Sequence, residues 1–364
     1  MIFYKPLKSF LEEYNDKNVD NKYKTVAVGK YGIRTRESIY SKELAKDYSK
    51  NKLIYKNTLT VGMGSKQIDI GILSDDHVFS VSPAYHTFKI SNINPDYLRY
   101  CLQARNPDMF IRYVKRGSRQ GKAIDLKRWL TYEIPIHEKL VQKEIVKTLD
   151  VVKDLLEAYK EELDRYDELV KSRFVEMFGD LKSNTKGWNI NTFEELTYLI
   201  TDGEHATPRR TDKGIYLLSA RNVLNHSIQL ENVDYIDQEE YDRIAKRVIP
   251  QAGDVLISCS GTVGRCCKVP EGLKFQMVRS AALLRFKEII NPVFAEYMVT
   301  SDYLQEQINS SKTASSQANL FQGKIKALKG IVPPRELQDE FADFVVQVDK
   351  SKLTLCRYNV NVNK

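Results

Sequence analysis

Cysteine, tryptophan and long apolar runs are what this sequence has least of. Five cysteines among 364 residues are an odd, sparse set, which excludes the small secreted folds that depend on a disulfide framework. Three of them, Cys259, Cys266 and Cys267, cluster in SCSGTVGRCCK. No Cys-x-x-Cys pair or neighbouring histidine gives zinc-like spacing there, so they read as buried, reduced thiols. No run approaches the roughly 18 apolar residues of a membrane helix, and the opening MIFYKPLKSFLEEYND lacks the apolar core of a signal peptide. The expectation is a cytoplasmic protein that does not meet a membrane. Nucleotide and methyl-transfer signatures are missing too. Gly62 and Gly64 in VGMGS open no Gly-x4-Gly-Lys-Ser/Thr cradle, and NPDMF at Asn106 has Asp108 where an adenine pocket of the Asn-Pro-Pro-Tyr kind needs its second proline. These residues therefore offer no metal site, no phosphate cradle and no matching adenine pocket.

What is present is soluble and basic: 42% hydrophobic and 29% charged residues, with a net charge of +8. The charge is uneven. Residues 1–137 hold 24 basic and 14 acidic side chains, whereas residues 138–180 hold 8 and 12. A positive N-terminal half suggests a polyanion partner; a solvated lysine-rich surface is the plainer alternative.

The chain repeats itself at an offset of about 197 positions. INPDYLRYCL at Ile93 returns as INPVFAEYMV at Ile290, so Pro95 falls on Pro292 and Tyr100 on Tyr297. GSRQ ends at Gln120 and ASSQ at Gln317. EKLVQKEIVKTLDVV matches RELQDEFADFVVQVD, with Gln142 on Gln338. KNTLTVGMGS resembles GDVLISCSGTVG, an apolar strand running into a Gly-rich turn at Gly62 and Gly64, or at Gly261 and Gly264. Alternating β-branched and aromatic residues broken by Gly predict strands in both copies. The Asn-Pro segments predict helices opening with proline in the first turn.

Between the copies, VVKDLLEAYKEELDRYDELVKSRF (Val151–Phe174) has no Gly or Pro. Ile145, Leu149, Val152, Leu156, Tyr159, Leu163, Tyr166 and Val170 recur at 4,3 spacing, a coiled-coil seam that a lone helix cannot bury. A shift of 196 places Phe341, Val345 and Val348 on the same seam, which weakens beyond them, so the second helix is expected to be short or frayed. Two copies in one chain tend towards a pseudo-two-fold arrangement, which makes the pair antiparallel. The expected architecture is α+β: a first domain over 1–137, a central spacer helix over 138–180, a second domain over 181–332 and a C-terminal spacer helix over 333–364.

The most basic segment, YVKRGSRQGKAIDLKRW (Tyr113–Trp129), gathers Lys115, Arg116, Arg119 and Lys122 around two glycines with Gln120 among them. Arginine grips phosphate or guanine, and glutamine can pair with adenine. Arg34 and Arg36 make a second basic turn. In the other copy the corresponding candidates are Arg209 and Arg210 in TPRRTDKG, and Ser316, Gln317 and Asn319 in KTASSQANL. His205 has no second histidine or cysteine nearby and reads as a turn-stabilising or nucleic-acid-facing residue.

Repeat, helix and loop motifs together resemble the specificity subunit of Type I restriction-modification enzymes. The residues that carry the resemblance are Gln142, Ile145, Leu149 and Asp150, then Leu169, Lys171, Ser172, Phe174, Phe178 and Gly179. TDGEHATPRRTDKGIYLLSARNV and GDVLISCSGTVG are similar to that family's target recognition domains. The chain departs from the family where its second helix lacks the usual continuation beyond VDKSKL, and where its first copy has no tryptophan-led entry like KGWNINTFEEL. The resemblance implies that each domain reads one half of a bipartite site in double-stranded DNA. It also implies that the spacer helices dock two adenine methyltransferase subunits and that restriction subunits join them. S-adenosylmethionine, ATP and Mg2+ would be bound by those partners, not by this chain. Two other readings stand beside it: a coiled-coil adaptor that never touches DNA, and a stand-alone DNA-modifying enzyme.

Overall fold

Proline fixes the start of one helix in each copy. Asn94 and Asn291 sit in extended backbone and accept hydrogen bonds from Tyr97 N (3.0 Å) and Val293 N (2.8 Å). Pro95 and Pro292 then occupy a first-turn position whose missing N–H costs nothing. The computed structural model describes residues 3–30, 32–36, 47–116, 121–311 and 319–362, with the side chains of 116 and 356–362 left out. The chain divides into two compact units, Met1–Tyr159 and Lys160–Lys364.

Unit 1 is built on a four-stranded antiparallel sheet of β1 (Leu11–Tyr14), β2 (Thr58–Met63), β3 (Ile68–Ile72) and β4 (His86–Ile90), in the order β1-β4-β2-β3. Helix α1 (Pro95–Tyr113) packs on it, and its Leu98, Leu102 and Met109 join Leu59, Phe88 and Trp129 in one buried cluster. The hairpin of β5 (Val114–Arg116) and β6 (Lys122–Ile124) follows. A two-stranded ribbon, Phe3–Pro6 against Glu133–Ile136, closes the unit.

Helix α2 (Lys139–Phe178) then runs for 40 residues, about 60 Å at ~1.5 Å per residue. Gly179, at φ +79°, ends it in the left-handed conformation that suits glycine, and Trp188 donates to the orphan carbonyl of Phe178 at 2.9 Å.

Unit 2 repeats the plan. Strands β7 (Thr197–Asp202), β8 (Val255–Ser258), β9 (Cys266–Lys268) and β10 (Ala281–Phe286) form an antiparallel sheet in the order β7-β10-β8-β9, the same path as in unit 1. The one helix expected after Asn291 is two, α3 (Pro292–Thr300) and α4 (Asp302–Ser311). They are divided at Ser301, whose extended backbone lets its hydroxyl donate to Met298 O at 2.6 Å. A ribbon of Asn189–Thr192 against Lys329–Val332 closes this unit as well. Helix α5 (Arg335–Val362) follows with 28 residues.

The repeated glutamine has a structural reason. Gln142 and Gln338 are both buried. Gln142 accepts from Asn94 N (2.9 Å) and donates to His137 O (2.8 Å). Gln338 accepts from Asn291 N (2.8 Å) and donates to Pro333 O (2.8 Å) and Ile289 O (3.0 Å). In each unit one side chain ties the start of the spacer helix to the cap of the helix before it.

Within unit 2 the end of α2 pairs with α5. Val170, Phe174 and Phe178 pack against Phe341, Val345 and Val348, with Phe294 and Tyr297 of α3 completing an aromatic cluster. Arg173 meets Glu340 at 2.9 Å while Asp167 meets Lys352 at 2.6 Å, so the two helices run antiparallel. The rest of the seam is treated differently: Ile145 packs against the unit 1 core, whereas Leu149, Val152 and Leu156 are exposed. Tyr159, Leu163 and Tyr166 are half-buried.

Candidate nucleic-acid interface

In both units the Gly-rich turn between the second and third sheet strands lies beside the loop that follows the helical layer. In unit 1 that turn is Gly64–Gln67, closed by Gly64 N donating to Gln67 O. Lys122 of β6 reaches across to it and donates to Ser65 O at 2.6 Å. Gly62 has to be glycine, because a Cβ there would sit 2.3 Å from the Tyr85 ring. Lys115 on β5 is exposed and ion-paired with Asp125, and its ammonium holds that carboxyl below the usual carboxylate range. The hairpin therefore carries lysines to an exposed edge, each anchored by one oxygen. Arg116 lies on β5, but its side chain is outside the described residues, as are Arg119 and Gln120. Arg34 is exposed on the strand Gly32–Thr35, and Arg36 lies over the Tyr48 ring at 5.3 Å.

In unit 2 the corresponding turn, Cys259–Arg265, is shaped by Ser258. Its hydroxyl donates to Thr262 O (2.7 Å) and accepts from Arg265 N (2.9 Å). Gly264 adopts φ +94° against Gln305, whose amide donates to Gly264 O at 2.9 Å. Asn319 bridges Ser260, and Leu320 N donates to Cys259 O at 2.9 Å. Turn and loop together wall a cleft of about 900 Å3, and its polar rim includes Arg265, Arg279, Ser260, Thr262, Asn319 and Gln322. His205 lines the same cleft and bonds Asp202 at 2.7 Å.

Arg209 and Arg210 stand elsewhere. Arg209 is held by Asp237 (2.8 Å) and Glu239 (2.9 Å), and Arg210 by Asp234 (3.0 Å). Ser316 and Gln317 lie outside the described residues. The structure thus brings Asn319 into the cleft and does not bring Arg209 and Arg210 there. Arg265 and Arg279 were missed by sequence reasoning. The available signal was an arginine directly after a Gly-rich turn, GTVGR.

Of the three clustered thiols, Cys259 lines the cleft and Cys266 and Cys267 do not. Cys259, Cys266 and Cys267 are free and buried, and desolvation pushes Cys259 and Cys267 up to about 12 and raises Cys266 as well. Among the described residues no group of His, Cys, Asp and Glu could hold a metal ion, and no helix is long and apolar enough to cross a membrane.

Comparison with known proteins follows the duplication. The family model for the Type I restriction modification DNA specificity domain matches twice, over residues 4–165 and 186–361. The fold is similar to the S subunit of a Type-I restriction-modification system from M. genitalium, with a TM-score of 0.55 at 13% identity, covering 100% of this chain and 93% of that one. It is also similar to a chain from a structure of complex assembly and conformational transition in the type I R-M system, with a TM-score of 0.52 at 13% identity over 99% and 93% of the two chains. At such identities these likenesses carry the fold. No curated protein matches the sequence.

Proposed function

This chain belongs to the Type I restriction modification DNA specificity family, and from that premise we propose that it is the DNA-reading subunit of a Type I restriction-modification complex. Residues 1–137 and 181–332 act as two target recognition domains, each reading one half of a bipartite double-stranded site. Residues 138–180 and 333–364 form the spacer that sets the accepted gap. Chemistry belongs to partners in the cytoplasm: two adenine methyltransferase subunits that bring S-adenosylmethionine, and restriction subunits that bring ATP and Mg2+. This chain supplies sequence choice and no catalytic group.

The observation that carries the reading is a duplicated unit with unlike edges. The sheet path and the buried glutamine are the same in both copies. The presented surface differs, a lysine-bearing hairpin in one unit and an arginine-lined cleft in the other. A shared frame with unshared contact groups suits two different base sequences. The exposed part of the seam, Leu149, Val152 and Leu156, supports methyltransferase docking, since solvated apolar residues at seam spacing favour a partner helix.

The test is to co-express the chain with its methyltransferase subunit and map methylated adenines across the host DNA. One motif made of two specified blocks at a fixed gap is expected. Methylation indifferent to sequence, or confined to one unbroken block, overturns the reading.

A further inference from the structure

The cleft of unit 2 contains two arginines that the fold does not use. Arg265 is half-buried and Arg279 exposed, and among the described residues neither side chain makes an ion pair or hydrogen bond. Their neighbours are otherwise engaged. Arg221 on the same wall is bound to Asp234 at 2.8 Å. Asp202, the carboxylate lining the cleft, is already taken by Arg247 at 2.6 Å and by His205. The cleft is therefore left with uncompensated positive charge inside a concave, partly desolvated wall, where an anion is attracted more strongly than at a flat surface.

Both cations are held in place by backbone rather than by their own tips. Arg265 N donates to Ser258 Oγ, and Arg279 N donates to Glu204 O at 3.0 Å. The hydroxyls of Ser260 and Thr262 and the amide of Asn319 share the rim with them. This set is rich in donors and concave. In duplex DNA the base edges lie at the floor of a groove and are met by protruding elements, whereas the phosphate ridge is the convex part of the surface.

We propose that Arg265 and Arg279 each grip a backbone phosphate of duplex DNA in this cleft, so that the cleft positions unit 2 on the duplex while bases are read by other residues. The assignment rests on the DNA-reading function proposed above. It also divides labour between the units, with cations on an exposed hairpin edge in one and in a recess in the other.

The test uses the full chain and labelled duplexes, one of random sequence and one carrying the motif found by methylation mapping, titrated from 50 to 200 mM KCl. A phosphate contact contributes about 0.9 to the slope of log K against log salt. Arg279→Ala is expected to lower the slope by about 0.9, and to weaken binding about tenfold on both duplexes alike. Adding Arg265→Gln lowers the slope by about as much again. Because Arg279 is exposed, its substitution leaves the fold intact, and an unchanged melting curve verifies that. An unchanged slope overturns the proposal, as does a loss confined to the motif duplex, which means base reading instead. If the unsubstituted chain shows no salt-dependent DNA binding, the DNA-reading function itself fails, a result distinct from failure of the cleft alone.

Discussion

Replacing Gln338 by alanine tests the repeated glutamine clasp and yields a number. The side chain is fully buried and satisfies three backbone groups: Asn291 N–H, Ile289 C=O and Pro333 C=O. Truncation strands all three. Each unsatisfied buried group costs about 1–3 kcal/mol, reduced where water can enter the vacated space, so a loss of about 3–5 kcal/mol is expected. Gln142→Ala strands two, Asn94 N–H and His137 C=O, and is expected to cost about 2–3 kcal/mol. Because each glutamine serves its own unit, amide hydrogen exchange read peptide by peptide is the assay. Protection is expected to fall around Asn291 and the start of α5 in one variant, and around Asn94 and the start of α2 in the other. A loss below about 1 kcal/mol for Gln338→Ala, or the reverse order between the two variants, refutes the reasoning.

Phe341, fully buried among Phe174, Phe178 and Tyr297, anchors α5 to α2. Phe341→Ala is expected to cost about 3–5 kcal/mol by denaturant unfolding, against under about 1 kcal/mol for breaking the exposed Asp167–Lys352 pair. Cys259, Cys266 and Cys267 are expected to resist iodoacetamide at pH 8 until the chain unfolds, because burial holds them as thiols; peptide mass spectrometry shows which cysteines react. Glu240 is held below its ordinary value by hydrogen bonds from Arg243 and then from Arg209 N. A depressed folded value means that its stabilisation is present above about pH 4.3 and is lost as pH falls through the lower folded value. Glu240→Gln is therefore expected to be less stable at pH 7 and to lose less on acidification, as unfolding midpoints between pH 7 and pH 3 will show.

Features that repeat were legible in the sequence, because repetition isolates what the fold requires. The alignment of Gln142 with Gln338 marked the clasp, and Asn-Pro marked the two helix starts. The seam also picked out Val170, Phe341 and Val345, which share one buried cluster. It could not reveal that Leu149, Val152 and Leu156 stay exposed, since heptad spacing specifies a stripe and not the length of what covers it. The same limit governs charge. Arg209 and Arg210 look like free cations in TPRRTDKG, but the chain returns about 25 residues later with Asp234, Asp237 and Glu239 beside them. Arg265 attracted no notice in GTVGR, and among the described residues it has no counter-ion. Whether a charge is available to a ligand depends on which distant carboxylates the fold delivers, and local composition does not record that.

The closing ribbons have an evolutionary corollary. Pairing of Phe3–Pro6 with Glu133–Ile136, and of Asn189–Thr192 with Lys329–Val332, means that each recognition module enters and leaves the polypeptide through adjoining strands, like a cassette with a single doorway. Genetic exchange between those doorways can install a foreign module without moving the ends to which the remaining chain is joined. Such an exchange leaves the sequence of the two long helices as it was.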